Sequence, residues 1–527
     1  MKETQEKWKR KRNQDIRKKE MRKEENSQNN RKEQGITLIA LVVTIVVLLI
    51  LAGITINMLF SNGGIFKTAQ DAANAWNEAT INEQESLSNI AEQIGNLVNG
   101  QVGGGSGTEP EEPEKIPADG SFSKEKGVNT PDLQDGALTP VKWVEDPKDS
   151  GNYIMEETTA EDPDRYSYTT ADKKWANAIT EDGSIWVWVP RYAYQIADNY
   201  HTNSEIGGSI NIEFLKGTTN EGATGKTIVE YNSSTTSNFT KFPEGYVIHP
   251  GFEYSSTAPG IWVAKFEASQ SDAGANAADY QNSTGGTSGI IKIQPGVNSW
   301  RNITIDTMYT KCLNYDTETL QNANLNSHLM KNTEWGACAY LAQSSYGKNS
   351  EVWINPNSNF ITGHAGTGPS VSQTASTSTS AYNIGNGPQA STTGTVYGIY
   401  DMSGCSWEYT AAYVANDNGS LTSNGASLVN GVAYTKDVYT KGSLDDMQTN
   451  YAAAASKYGD AVYETSSNVN GRYSWYGVLA RIPYSTNPFF FHGGYYGNTS
   501  AAGLFCFGSY NGSAVSNYGF RPVLVAL

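Results

Sequence analysis

Residues 184–196 read SIWVWVPRYAYQI, Ser184 to Ile196, and this run sets the reading of the larger part of the chain. Ile, Val, Trp and Tyr crowd it, and these side chains suit a pleated, half-buried surface. It is expected to be a framework strand. Two further runs share its character, GIWVAKFEAS (Gly260 to Ser269) and GFRPVLVAL (Gly519 to Leu527). Around them the chain is rich in Gly, Asn, Ser, Thr and Tyr, as all-β or loop-rich surface proteins are. Gly- and Ser-rich stretches such as Thr362 to Thr395 read as long loops. One segment has helical character instead: NSHLMKNTEWGACAYLAQSSYG, Asn326 to Gly347. Leu329, Trp335, Ala339 and Leu341 would form its buried face, and Asn332 or Thr333 would cap its start.

The other end of the chain is different. Residues Ile36 to Phe60, ITLIALVVTIVVLLILAGITINMLF, carry no charge and follow a basic leader. About 25 helical residues at 1.5 Å each span about 37 Å, enough to cross a bilayer core. Arg31 and Lys32 precede the span, so the leader should stay cytoplasmic and everything after Phe60 should face outward. Ser61 to Gly64, SNGG, should break or kink the helix, and a second helix reads from about Ile65 to Val98. There Leu87, Ile90, Ile94 and Leu97 recur at helical spacing. This stretch is a pilin-like stalk or a short solvated coiled coil. Asn99 to Pro117 is a Gly/Ser then Glu/Pro linker. A head would then occupy 118–527.

The formal net charge is −16, and the leader is basic, so the outward part is more acidic still. Lys and Arg are scattered singly there, which excludes a phosphate-neutralising patch and hence a nucleic-acid partner. Cys312, Cys338, Cys405 and Cys506 form no CxxC or other close metal spacing, and they are either free or paired in one of three ways. The five histidines form no H-x-x-x-H or H-E-x-x-H motif.

The junction G-ITLIALVV, Gly35, Ile36, Thr37, Leu38 and Ile39, resembles the signal of type IV prepilins and pseudopilins. The resemblance implies cleavage after Gly35 by a prepilin peptidase, with Ile36 as the new N-terminus and the hydrophobic helix retained. Ile36 replaces the family's usual Phe. Ala40 replaces the usual Glu, which registers a subunit against its neighbour. Membrane insertion is therefore implied, whereas assembly with other pilin subunits is left open. A plain, uncleaved signal anchor is the other reading of the same residues.

Four ordered segments of the head resemble the formylglycine-generating-enzyme (sulfatase-modifying-factor) family, whose fold is a variant of the C-type lectin fold. They are GIWVAKFEAS, MKNTEWGACAYLA (Met330 to Ala342), GIYDMSGCSWEYT (Gly398 to Thr410) and HGGYY…GFRPVL (His492 to Leu524). The fold class implied is α+β: an N-terminal pilin-like transmembrane helix and stalk, then a C-type-lectin-like head rich in short strands and long loops. Trp335, Tyr400 and Trp407 read as framework rings, and Glu334 and Glu408 as partners of backbone groups or of Arg521. The family's oxidases carry two nearby cysteines in the closing segment, whereas Cys506 stands alone here. The iron-dependent relatives' histidine cluster is absent as well. An enzyme is therefore not expected, and neither is a cofactor. Many C-type-lectin-like domains bind calcium, but no motif here assigns it.

From Ile482 onward the chain contains no Lys, Glu, Gln, Met or Trp, and no Asp. Between Gly494 and Gly519 it reads YYGNTSAAGLFCFGSYNGSAVSNY. Every residue type in it can be encoded by a triplet ending in a pyrimidine. That pattern resembles the variable region of proteins diversified by diversity-generating retroelements. Tyr, Ser, Asn and Gly are also the composition of antibody-like paratopes. The expected contact residues are Tyr495, Tyr496, Asn498, Thr499, Phe505, Phe507, Tyr510, Asn511, Ser513, Asn517 and Tyr518. Leu504, Cys506 and Val515 would be contacts or core. The function expected is an anchored or pilus-associated adhesin at the cell surface, binding an unknown extracellular protein, glycan or cell-surface ligand. A surface enzyme of the formylglycine-generating class and a minor structural pilin are the alternatives.

Overall fold

The computed structural model describes residues 12–15, 17–23, 121–231, 241–275, 289–322, 325–369 and 374–526. The chain divides into two units, residues 1–113 and 114–527. In the first, residues 12–15 and 17–23 are helical and exposed. Gly35, Ile36, the hydrophobic span at 36–60, the helix expected over 65–98 and the linker at 99–117 lie outside the described residues. No helix among the described residues is long and apolar enough to cross a membrane.

The second unit is strand-rich with few helices. Its largest sheet has seven antiparallel strands. They run in the order Leu325–Leu329, Pro522–Ala526, Gly260–Ala264, Ile185–Pro190, Asn177–Thr180, Leu138–Glu145 and Tyr153–Glu157. All residues of Ile185–Pro190 are buried, which is why that run lacks polar alternation. Trp188 faces Trp262 across the ladder, with ring centroids 5.3 Å apart. Gly260 is required beside them, because a Cβ there would lie 2.3 Å from the Trp188 ring.

The single framework strand expected over 184–196 is in fact two. Pro190 cannot continue donating to the ladder, and the chain turns there. Tyr192–Ile196 then joins a separate four-stranded sheet between Ile210–Phe214 and Tyr246–Ile248. The helix expected over 326–347 is also corrected. Its first residues form the strand Leu325–Leu329, paired with Pro522–Ala526, and the helix itself is Asn332–Gln343. Neither Asn332 nor Thr333 caps it. Instead the Glu334 carboxylate accepts the Lys331 N–H at 2.8 Å, which satisfies a free donor at the helix start. Every residue of this helix is buried.

Arg521 joins the largest sheet to the loop Gly398–Thr410. It binds Glu408 bidentately at 2.7 and 3.0 Å and donates to the carbonyls of Ala264 and Tyr400 at 2.7 and 2.8 Å. Glu267 and Asp401 are buried nearby. One guanidinium cannot neutralise three carboxylates. Burial, reinforced by Glu408 and Asp401, raises Glu267 well above the usual carboxylate range, so Glu267 holds a proton. Lys265 is buried against Asn177 Oδ1 and the carbonyls of Val396 and Gly398 at 2.7–2.8 Å, and burial pushes its ammonium down. Glu408, Trp335, Tyr400 and Trp407 thus serve the framework. All four cysteines are free and buried.

Candidate functional site

The closing segment belongs to a five-stranded sheet. Asp437–Thr440, Trp407–Ala415, Phe489–Gly493 and Gly503–Tyr510 follow in that order, and Tyr518–Phe520 pairs in parallel with the start of Trp407–Ala415. The register puts Tyr409 opposite Phe491, Phe489 opposite Tyr510, and Trp407 opposite Tyr518. One face of the sheet is consequently aromatic. The other carries Phe490, Phe507, Ala412 and Val414 into a separate buried cluster.

On the aromatic face the rings form a continuous run. Tyr510 stacks on Tyr518 at 5.4 Å, and Tyr518 stacks on Tyr409 at 4.8 Å. Tyr518 also meets Phe491 at 5.0 Å, which meets Trp407 at 4.4 Å. Trp407 reaches Tyr495 at 6.5 Å, and Tyr495 stands edge-on to Tyr496 at 5.1 Å. Tyr496 then meets Phe360, over which the Arg301 guanidinium lies 3.7 Å from the ring centroid. The run closes up at Gly508, opposite Phe491, where a Cβ would lie 2.1 Å from the ring.

The structure sorts the expected contact residues into two groups. Tyr495, Tyr496, Asn498, Thr499, Tyr510, Asn511, Ser513 and Asn517 are half-buried, each with part of its surface outward. Phe505, Phe507 and Tyr518 are buried and are corrected to framework. Their strand is covered on both faces, so alternation sends no ring of Gly503–Tyr510 outward before Tyr510. Phe505 packs on Trp475, and Tyr518 lies beneath Tyr510. Burial raises the Tyr518 phenol well above its ordinary range. Leu504 and Cys506 are core, and Val515 is half-buried against it.

Two loops present the outward residues. The first is the short helical turn Tyr496–Ala501, where the Asn498 carboxamide accepts the Tyr495 N–H at 2.9 Å and Thr499 takes φ 48°. The exposed Arg472 holds it from outside, donating to the Ser500 carbonyl at 2.8 Å and to Ser500 Oγ at 2.7 Å. The second loop, residues 511–517, is held almost wholly through its carbonyls. Those of Asn511, Gly512, Ser513, Val515 and Asn517 accept from Asn424 Nδ2, Ile305 N, the Tyr409 hydroxyl, Asn302 N and Trp407 N at 2.8–3.4 Å. Buried Arg301 donates to the Ser516 carbonyl. The path of the loop is therefore fixed by donors outside it, not by its own side chains.

Sequence reasoning missed the backing rings Trp407, Tyr409, Phe489 and Phe491. Their period-2 spacing in WEYT and FFF was the available signal. It also missed Arg301, Arg472 and Arg481, which only the tertiary fold brings to the segment. Among the described residues no group of three or more His, Cys, Asp or Glu side chains is placed to hold a metal ion. A hollow lined by Trp475, Tyr476, Gly503, Leu504 and Phe505 measures about 10 Å³, room for no more than a water.

No protein-family model and no curated protein matches the chain. Among solved structures it is similar to one described as "Major Tropism Determinant M1 Variant". The identity is 16%, the TM-score 0.23, and the match covers 76% of this chain and 75% of that one. A likeness of that degree carries no argument about fold or function.

Proposed function

We propose that unit 114–527 is a non-catalytic recognition head that binds an extracellular ligand through Tyr495, Tyr496, Asn498, Thr499, Tyr510, Asn511, Ser513 and Asn517. The observation that carries this reading is the aromatic run. Half-buried tyrosines stand on a stack of buried rings, so they meet a ligand without paying to become ordered. The uncharged composition from 482 onward supports it, since no carboxylate or ammonium must be stripped of water on contact. The sequence resemblance supports a C-type-lectin-like head whose closing segment is diversified by a retroelement. The hydrophobic span at 36–60 supports a single-pass membrane anchor with the head outside, processed after Gly35 by a prepilin peptidase. The absence of catalysis is supported by the state of Cys506, which is buried and alone and whose thiol burial raises far above the thiolate-forming range.

The test is binding of the full-length protein to panels of cells, glycans and displayed peptides, with Tyr495→Ala and Tyr510→Ala beside the wild type. Loss of one anchor should weaken binding about thirtyfold or more, as for a central aromatic residue worth at least about 2 kcal/mol. Thermal stability should stay close to wild type. Ligands that bind both variants as tightly as the parent would refute the assignment of this face.

A further inference from the structure

Residues 479–482 run alongside the strand Gly503–Tyr510 as an outer edge. Phe507 N–H donates to the Leu479 carbonyl at 3.1 Å, Arg481 N–H to the Phe507 carbonyl at 3.0 Å, and Ser509 Oγ to the Ile482 carbonyl at 3.2 Å. Ala480 pairs with Phe507, and Ala480, Ile482 and Phe507 all enter the cluster behind the sheet. Arg481 lies between Ala480 and Ile482, so alternation sends it to the opposite, aromatic face. That face carries Gly508, Tyr510 and Tyr518, and Gly508 has no side chain to block the guanidinium. The charge of Arg481 is felt at the Tyr518 phenol.

The guanidinium is poorly provided for. It is half-buried, with Tyr484 the aromatic ring it overlies, 5.9 Å from the centroid. Its Nε is buried and makes no hydrogen bond. No carboxylate among the described residues forms an ion pair with it, and the chain from 482 onward has none to offer. The other arginines beside the segment are engaged: Arg301 on Ser516, Asn298 and Phe360, and Arg472 on Ser500. Arg481 alone among these three presents a planar donor fork beside tyrosines with no internal acceptor.

We infer that Arg481 is a specificity-determining contact, and that the partner is a protein segment placing an aspartate or glutamate carboxylate on this guanidinium while apolar neighbours cover Tyr510. The inference rests on the binding face proposed above and names the chemistry of its partner. Arg and Tyr together are the pair most enriched at the energetic centres of protein interfaces. The Arg fork matches a carboxylate bidentately in a way that Lys does not. The charge asymmetry is local: a cationic group in an acid-free patch on an otherwise acidic chain. An acidic segment is thus steered to this patch and away from the rest of the surface.

The experiment is selection of random displayed 12-residue peptides on the full-length protein in detergent, run in parallel on Arg481→Met, Arg472→Met and Tyr510→Ala. Peptides selected on the wild type and on Arg472→Met should be enriched in Asp or Glu beside an apolar residue, and those selected on Arg481→Met should not. A selected acidic peptide should bind Arg481→Met about tenfold more weakly, as for one charge-assisted hydrogen bond. Its Glu→Gln or Asp→Asn analogue should lose no further affinity on that variant. Peptides that need Tyr510 but show no acidic preference would overturn the carboxylate subsite and leave the face standing. Peptides indifferent to Tyr510→Ala would overturn both. Arg481-dependent binding of sialylated or uronate-bearing glycans, with no acidic peptide enrichment, would overturn the assignment of a protein partner.

Discussion

Gly508→Ala should damage the recognition face from behind. The new Cβ would stand 2.1 Å from Phe491 Cε2 and 2.3 Å from Cζ. Ordinary carbon contacts begin near 3.5 Å, so the ring must retreat by more than about 1 Å. It has no free direction. Trp407 is 4.4 Å away on one side and Tyr518 5.0 Å away on the other, and Tyr518 supports Tyr510. Overpacking of this kind costs about 1–3 kcal/mol. Chemical denaturation should report that loss, and near-UV circular dichroism should report the disturbed rings. Phe491→Leu alone leaves a gap and is also destabilising. Gly508→Ala with Phe491→Leu should be more stable than the sum of the single losses implies, because the added methyl fills part of the space vacated. A Gly508→Ala protein with wild-type stability and an unchanged aromatic spectrum would refute the stacked-ring account of this sheet.

Three other outcomes are expected. Arg521→Met should cost about 3–5 kcal/mol by leaving Glu408 buried and unpaired, and Arg521→Met with Glu408→Gln should recover part of it in a double-mutant denaturation cycle. Glu464 is buried, accepts from Tyr194, Tyr340 and the Gly459 N–H, and is raised by burial to about 7. Its folded pKa exceeds the unfolded value of about 4.3, so its contribution is whole below about pH 4.3 and lost as pH rises through about 7. Wild-type stability relative to Glu464→Gln should fall across that window by on the order of 1–3 kcal/mol, and parallel pH profiles in denaturant would count against it. Finally, Gly35→Leu should block the processing expected after Gly35, which mass spectrometry of membrane fractions from cells with the peptidase will show as retained leader.

Much of the framework was legible because it is local. The β-branched and aromatic runs at 185–190, 260–264 and 522–526 became neighbouring strands of one sheet. The Arg521–Glu408 pair followed from a large planar cation and an acid in motifs that read as framework. The failures are non-local. Leu325–Leu329 has apolar residues that fit a helix equally well, and pairing with the distant Pro522–Ala526 decides for a strand. Phe505 and Phe507 share the composition of an exposed paratope, but Trp475 and a second buried cluster cover them. The outward residues of 495–499 and 510–517 were read from composition. Arg481 could not be, because its side-chain direction follows from the bridge between Ala480 and Phe507.

The place of Pro522–Ala526 has a consequence for biogenesis. This strand is not at the rim of the largest sheet but between Leu325–Leu329 and Gly260–Ala264, and it brings Arg521 with it. Until residues 521–526 have left the ribosome, the sheet lacks an interior strand and Glu408 lacks its counter-charge. Such late, long-range closure keeps the nascent chain from locking early. A polypeptide that must be threaded through a translocation channel before it folds gains from that delay, because the last strand to emerge completes the fold on the far side.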